Sequence, residues 1–112
     1  MTPKGNLEDQ RINGQVLTQL DPLLEHKYRL SACVMLVETE SITFSRFKEL
    51  FGATSGNLGA QLRKLEDAGY VDVRKEFIGR QPTTWYSLTT KGKQALRKHL
   101  AVMQSFIATL ED

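Results

Sequence analysis

The run Thr54-Ser-Gly-Asn-Leu-Gly-Ala-Gln-Leu-Arg-Lys-Leu-Glu-Asp-Ala-Gly-Tyr-Val-Asp-Val73 constrains this chain more than any other stretch. Thr54 is placed to cap a helix by accepting a bond from a backbone N–H of the first turn. Leu58, Leu62 and Leu65 fall at i, i+4 and i+7, which makes one apolar stripe. Gly69 stands where a left-handed C-terminal cap is needed. Tyr70, Val71 and Val73 then favour a strand. The segment is therefore a helix closed by glycine that runs directly into a strand. Its face away from the leucines carries Gly56, Ala60, Arg63 and Lys64. Such a face, small at its start and basic further along, suits end-on approach to a nucleic-acid groove.

The surrounding chain supplies the partners for that helix. Asp21-Pro22 is a helix start signal, a capping carboxylate followed by proline at the first helical position. The spacing predicts a helix from there to about Glu38, with Leu30, Cys33, Val34 and Val37 as one stripe and Leu24, Tyr28 and Met35 beside it. Ser41-Ile42 is long enough only for a bridge strand. Thr43 caps a short helix with Phe44, Phe47, Leu50 and Phe51 inward, and Gly52 ends it. A short helix, a tight turn and a second helix make a helix-turn-helix. Val71 to Ile78 reads as a strand, Gly79 to Pro82 as a tip, and Thr83 to Leu88 as the return strand with Trp85 toward the core. Thr89 or Thr90 then caps a long last helix. Its residues Leu96, Leu100, Met103, Ile107 and Leu110 form a heptad-like seam. That seam is longer than a small domain can cover and needs a partner. Ile12 and Val16 continue a weaker pattern near the N-terminus, interrupted by Gly14.

Composition narrows the function classes. The chain has 112 residues and a net charge of +2, enough for one small domain. Residues 54 to 98 hold nine Lys/Arg against four Asp/Glu, whereas residues 1 to 53 hold six against seven. The positive charge gathers where the helix and hairpin lie, as suits a phosphate backbone. No apolar run approaches the roughly 20 residues of a membrane span, and the first residues lack the apolar stretch of a secretory signal. A cytoplasmic protein is the expectation. The single cysteine, Cys33, reads as a small core hydrophobe, and with His26 and His99 it makes no metal-ligand pattern. No nucleophile–base pair, Gly-rich phosphate loop or metal cluster appears, so neither an enzyme nor a cofactor is expected.

Three strings together resemble a known family. They are Leu20-Asp-Pro-Leu-Leu-Glu-His-Lys-Tyr-Arg-Leu30, Leu65-Glu-Asp-Ala-Gly-Tyr-Val71, and Phe77-Ile-Gly-Arg-Gln-Pro-Thr-Thr-Trp-Tyr-Ser-Leu-Thr89 with Gly92. Over roughly residues 20 to 100 the chain resembles the winged-helix DNA-binding domain of small prokaryotic transcription regulators. These are the short relatives of the multiple-antibiotic-resistance and arsenical-resistance repressors. The implied fold is mainly α with a small β-wing (α+β), a winged helix-turn-helix with long N- and C-terminal dimerisation helices. Residues 1–20 would form an N-terminal dimerisation arm, 21–89 the DNA-binding domain and 90–112 the C-terminal dimerisation helix. The resemblance implies a homodimer on a pseudo-palindromic operator in double-stranded DNA. Helix 54–68 would enter the major groove and wing 77–83 would reach the minor groove.

Carried over position by position, Ser55, Gly56, Asn57 and Ala60 lie where the family touches the groove. Arg63 and Lys64 lie where it grips the backbone, and Arg80 is the wing-tip arginine. Many relatives carry a long polar residue at the position of Ala60, so readout here rests on fewer side chains. The chemistry agrees. An amide such as Asn57 can pair with adenine N6 and N7, while Gln61 lies nearer the leucines and supports the fold. Thr54 and Ser55 can bond phosphate or base, and helix N–H groups bind phosphate directly. A cation such as Arg80 on a strand tip can enter a narrow minor groove. Arg74 and Lys75 alternate faces, so one of them can face a duplex, and Lys91 is placed to touch backbone. Ile12, Val16, Leu96, Leu100, Met103, Ile107 and Leu110 are the dimerisation candidates. The different-class alternative is a winged-helix protein-interaction module without DNA binding. A small-molecule effector between terminal helices has no signature in the sequence.

Overall fold

The computed structural model describes residues 18–111. A 3-10 turn, Pro22–Leu24, precedes helix α1 (Lys27–Glu38), strand β1 (Ile42–Thr43) and helices α2 (Phe44–Phe51) and α3 (Ser55–Asp67). Strands β2 (Val71–Ile78) and β3 (Gln81–Leu88) and helix α4 (Thr90–Leu110) complete the chain. The antiparallel sheet has the order β1-β3-β2. This is the winged helix-turn-helix, and Phe47, Leu58, Leu62 and Leu65 are, with Leu24 and Cys33, its largest fully buried apolar side chains. The dimerisation candidates Ile12 and Val16 lie outside the described residues. No helix among the described residues is long and apolar enough to cross a membrane.

The first helix differs from expectation. It does not run unbroken from Pro22, because the chain leaves the helical path at Glu25 and His26. The cause is Arg29, which is 9% exposed. Its Nε donates to the Leu23 carbonyl at 2.6 Å and its Nη2 to the Pro22 carbonyl at 3.4 Å. In a continuous helix those carbonyls would accept from His26 and Lys27. His26 instead restarts the helix, its Nδ1 accepting from the Tyr28 N–H at 3.1 Å. Burial, and then the neighbouring charges of Arg29, Lys27 and Lys64, lower the His26 pKa and favour this neutral cap.

The buried stripe of α1 is also rotated. It runs through Arg29, Ala32, Cys33 and Leu36, while Val34 and Val37 are 40% and 50% exposed. A helix apolar around much of its circumference does not select a face by hydrophobicity alone. Here the bonds of Arg29 and the small side chain of Ala32 select it. Burial pushes the Cys33 thiol up to about 12, consistent with an inert core residue. In α2, Phe47 is fully buried with Phe44 and Phe51 beside it, but Leu50 is exposed. An eight-residue helix buries only a narrow strip, and Leu50 falls on its flank.

The hairpin pairs Val73 with Tyr86 and Ile78 with Gln81. Gln81 and Pro82 therefore belong to β3, and the tip is the two-residue loop Gly79-Arg80. Gly79 supplies the positive φ (65°) that such a loop requires. Trp85 is on the opposite sheet face from buried Tyr86, not on the core side, because neighbouring strand residues point to opposite faces. Its indole Nε1 donates to Glu76 at 2.8 Å, and the Arg74 guanidinium lies over its ring.

At the base of the wing, α4 approaches β2 closely. Thr89 caps α4, its Oγ1 accepting from the Gly92 N–H at 2.9 Å. A Cβ on Gly92 would lie 2.2 Å from the Tyr70 carbonyl oxygen. Further along α4, Leu96 is 2% exposed in the core of its own chain. It has no area left for a partner, a correction to its place in the dimerisation seam. Leu100, Ile107 and Leu110 are exposed and Met103 is half-buried. Gly92→Ala is expected to destabilise the fold by about 2–3 kcal/mol, since the clash is with backbone that cannot rotate away. Urea denaturation measures this, and an unchanged midpoint would contradict the close approach.

Candidate nucleic-acid interface

Three leucines fix how α3 is turned. Leu58, Leu62 and Leu65 are fully buried, so the opposite face, with Ser55, Gly56, Asn57, Ala60, Arg63 and Lys64, is exposed. Both ends of the helix are closed as expected. Thr54 Oγ1 accepts from the Asn57 N–H at 3.2 Å. At the other end, the Tyr70 N–H donates to the Leu65 carbonyl and the Gly69 N–H to the Glu66 carbonyl, each at 2.9 Å. Gly69 has φ +78°. These two bonds with a left-handed glycine make a Schellman cap.

The glycines of α3 are informative. A Cβ on Gly56 would meet nothing within 4 Å, and one on Gly59 would touch only Phe44 at an ordinary 3.9 Å. Neither residue has a positive φ. Each costs the helix up to about 1 kcal/mol relative to alanine, and no contact among the described residues requires either. With exposed Ala60 they form a bare strip that a large external surface can approach closely.

The cations differ in their surroundings. Arg63 Nε is 3.4 Å from Asp67 Oδ1, with both side chains well exposed. An exposed pair of this kind contributes on the order of 0.2–1 kcal/mol and yields readily to a stronger anion. Arg80 is exposed at the wing tip, beyond Phe77, which is 73% exposed. Lys75 shares its sheet face with Val73 and Tyr86 and lines a groove between α3 and the wing, with Gly59, Arg63, Glu66 and Asp67. Arg74 is on the other face, paired with Glu76 and stacked on Trp85. The register thus puts Lys75, and not Arg74, on the sheet face toward α3. Lys75 has the same parity as Val71 and Val73, a signal already present in the sequence.

Lys91 stands apart from the other candidates. Its Nζ lies 5.9 Å from the Tyr70 ring, beside Gly69 and therefore at the C-terminal end of α3. Thr54 is at the other end of this thirteen-residue helix, about 20 Å away at 1.5 Å per residue. Gln61 supports the fold, as expected, but also bridges inward and outward. Its Oε1 accepts from Arg29 Nη1, and its Nε2 donates to Asn57 Oδ1 at 3.1 Å.

A second junction holds the base of this surface. The Tyr70 hydroxyl donates to the Asp21 carboxylate, and the Asp21 N–H donates to His99 Nδ1 at 3.0 Å. Burial, and then the Asp21 bond, push the Tyr70 hydroxyl up to about 12. Among the described residues no group of three or more His, Cys, Asp or Glu could hold a metal ion.

A family model described as a winged helix DNA-binding domain matches residues 28–107. An uncharacterized protein of Methanocaldococcus jannaschii is 32% identical over 72 residues, covering 64% of this chain and 78% of that one. Among solved structures, a transcriptional regulator homologue from Pyrococcus horikoshii OT3 superposes with a TM-score of 0.76 at 24% identity, covering 88% of this chain and 95% of that one. MarR superposes at 0.69 with 17% identity, covering 85% and 69%. At these identities the structural likeness establishes a shared fold. Gly56→Ala is expected to raise stability by about 0.5–1 kcal/mol, because the site has room and the helix gains propensity. A fall in the urea midpoint would mean that the chain itself needs glycine there.

Proposed function

The chain belongs to the winged helix DNA-binding domain family, and from that premise we propose that it is a homodimeric transcriptional regulator reading double-stranded DNA. Helix 54–68 occupies the major groove and wing 77–83 lies at the minor groove. The observation that carries this reading is the bare strip on α3. Gly56 and Gly59 lower the helix's own stability where no contact among the described residues gains from it, Ala60 keeps the strip small, and Arg63, Lys64 and Lys75 border it.

Each residue then has a role. Asn57 pairs with a base edge, and an amide matches adenine N6 and N7 best. Ser55 and the first backbone N–H groups of α3 hold a phosphate, where the helix dipole favours an anion. Thr54 keeps the helix start in register. Arg63 leaves Asp67 for the backbone, with Lys64 beside it. Arg80 reaches the minor groove from the wing tip. Lys91, at the far end of α3, touches backbone only where the duplex continues past that end.

Dimerisation sets the spacing. The exposed residues Leu100, Ile107 and Leu110, with Met103, are buried against the partner chain, together with the N-terminal arm that carries Ile12 and Val16. Residues 1–20, 21–89 and 90–112 act as arm, reader and clamp. Two recognition helices about 34 Å apart match one turn of B-DNA, and a pseudo-palindromic operator follows. The cytoplasm is the compartment for such a regulator.

Salt dependence tests the assignment. Lys75→Ala and Arg80→Ala are each expected to lower the slope of log affinity against log salt by about 0.9 per lost phosphate contact. Arg74→Ala, whose side chain is engaged with Glu76 and Trp85, is expected to leave the slope unchanged. Unaltered slopes for Lys75→Ala and Arg80→Ala would contradict the wing's role. No salt-sensitive duplex binding by the unmodified chain would support a protein-interaction module instead.

A further inference from the structure

Arg29 is buried in a helix that does not belong to the proposed DNA surface, yet its bonds lead to that surface. We propose that Arg29, acting through Gln61, fixes which edge of the Asn57 amide faces DNA, so that both are positioning residues for base selection. The proposal rests on the DNA-binding reading and specifies how its main base contact is oriented.

The argument is one of donors and acceptors. A guanidinium has only donors. Arg29 is 9% exposed, and it donates to the carbonyls of Leu23 and Pro22 and to Gln61 Oε1. Gln61 must therefore turn its carbonyl inward, which leaves its NH2 on the outward edge. An amide NH2 also only donates. It reaches Asn57, four residues earlier and on the same side of the helix, where it donates to Oδ1 at 3.1 Å. Asn57 must then turn its oxygen toward Gln61 and leave its NH2 on the opposite edge for an outside acceptor. Two exposed amides alone could flip together at little cost. The buried charge removes that freedom, because reversing the chain would aim a Gln61 N–H at the guanidinium.

The consequence is selectivity without contact. Base edges in the major groove differ in the order of donors and acceptors. An Asn57 fixed in one order fits one base and misfits the reverse. Neither Arg29 nor Gln61 needs to touch DNA for this.

The experiment uses the full chain and selection from a randomised duplex pool. Asn57→Ala first identifies the position that Asn57 reads, as the one whose preference flattens. Arg29→Met is unsuitable, since it strips the Leu23 carbonyl of its Arg29 donor and can unfold the chain. Gln61→Glu keeps an acceptor for the Arg29 anchor and removes the donor on the outward edge. The carboxylate accepts and cannot donate, so the Asn57 NH2 turns toward it and the oxygen faces outward. The expected result is about a tenfold change in relative enrichment at the Asn57 position, with preferences elsewhere kept and the melting temperature not lowered. The added negative charge weakens binding evenly and cancels from the ratios. An unchanged preference at that position, or an even loss at all positions, would overturn the relay and leave the DNA-binding reading intact. A wild-type chain that enriches no sequence would overturn that reading itself, and the relay with it.

Discussion

The rotation of one helix governs everything on the candidate surface. Leu58, Leu62 and Leu65 are completely enclosed, and burial of each is worth about 1.5–3 kcal/mol. Turning α3 by even a third of a revolution would expose all three. That cost locks Ser55, Asn57, Ala60 and Lys64 outward without any polar contact having to hold them there. The exposed face can then carry residues chosen for a ligand, including two glycines that weaken the helix itself.

Position along the helix axis is set by different means. The Schellman cap at Gly69 ends α3, and the chain turns directly into β2, so the wing's base is fixed to the helix end. Gly92 lets α4 lie against the Tyr70 backbone. The Tyr70 hydroxyl in turn bonds Asp21, whose N–H reaches His99 on α4. The cap of the 3-10 turn, the helix–strand junction and the terminal helix thus meet at one point. Beyond that point the hairpin stands clear of the core, with Phe77, Ile78 and Arg80 exposed. A rigid base with a projecting tip is what the proposed placement of helix and wing in neighbouring grooves requires.

Much of this was legible from local chemistry. The caps at Thr43, Thr54 and Thr89, the left-handed glycines at 52, 69 and 79, and the leucine stripe of α3 each depend on residues within a few positions of one another. What was missed depends on distant partners. The break before α1 is held by bonds that a continuous helix lacks: Arg29 takes the Leu23 carbonyl and shares the Pro22 carbonyl with the Glu25 N–H. The outward turn of Val34 and Val37 follows from the same residue. Leu96 fitted the seam by spacing, but its burial in its own core depends on how α4 packs against α1. Lys75 was recoverable by following the parity of Val71 and Val73. The link from Arg29 through Gln61 to Asn57 spans residues 29 to 61, and sequence spacing carries no trace of it.

The most direct test of the account is hydroxyl-radical footprinting of the full chain on a duplex recovered by selection. Two paired copies presenting α3 and the wing should protect two patches on one side of the helix, centred about 10–10.5 base pairs apart. A single isolated patch, or protection out of phase with the helical turn, would contradict the paired arrangement of recognition helices.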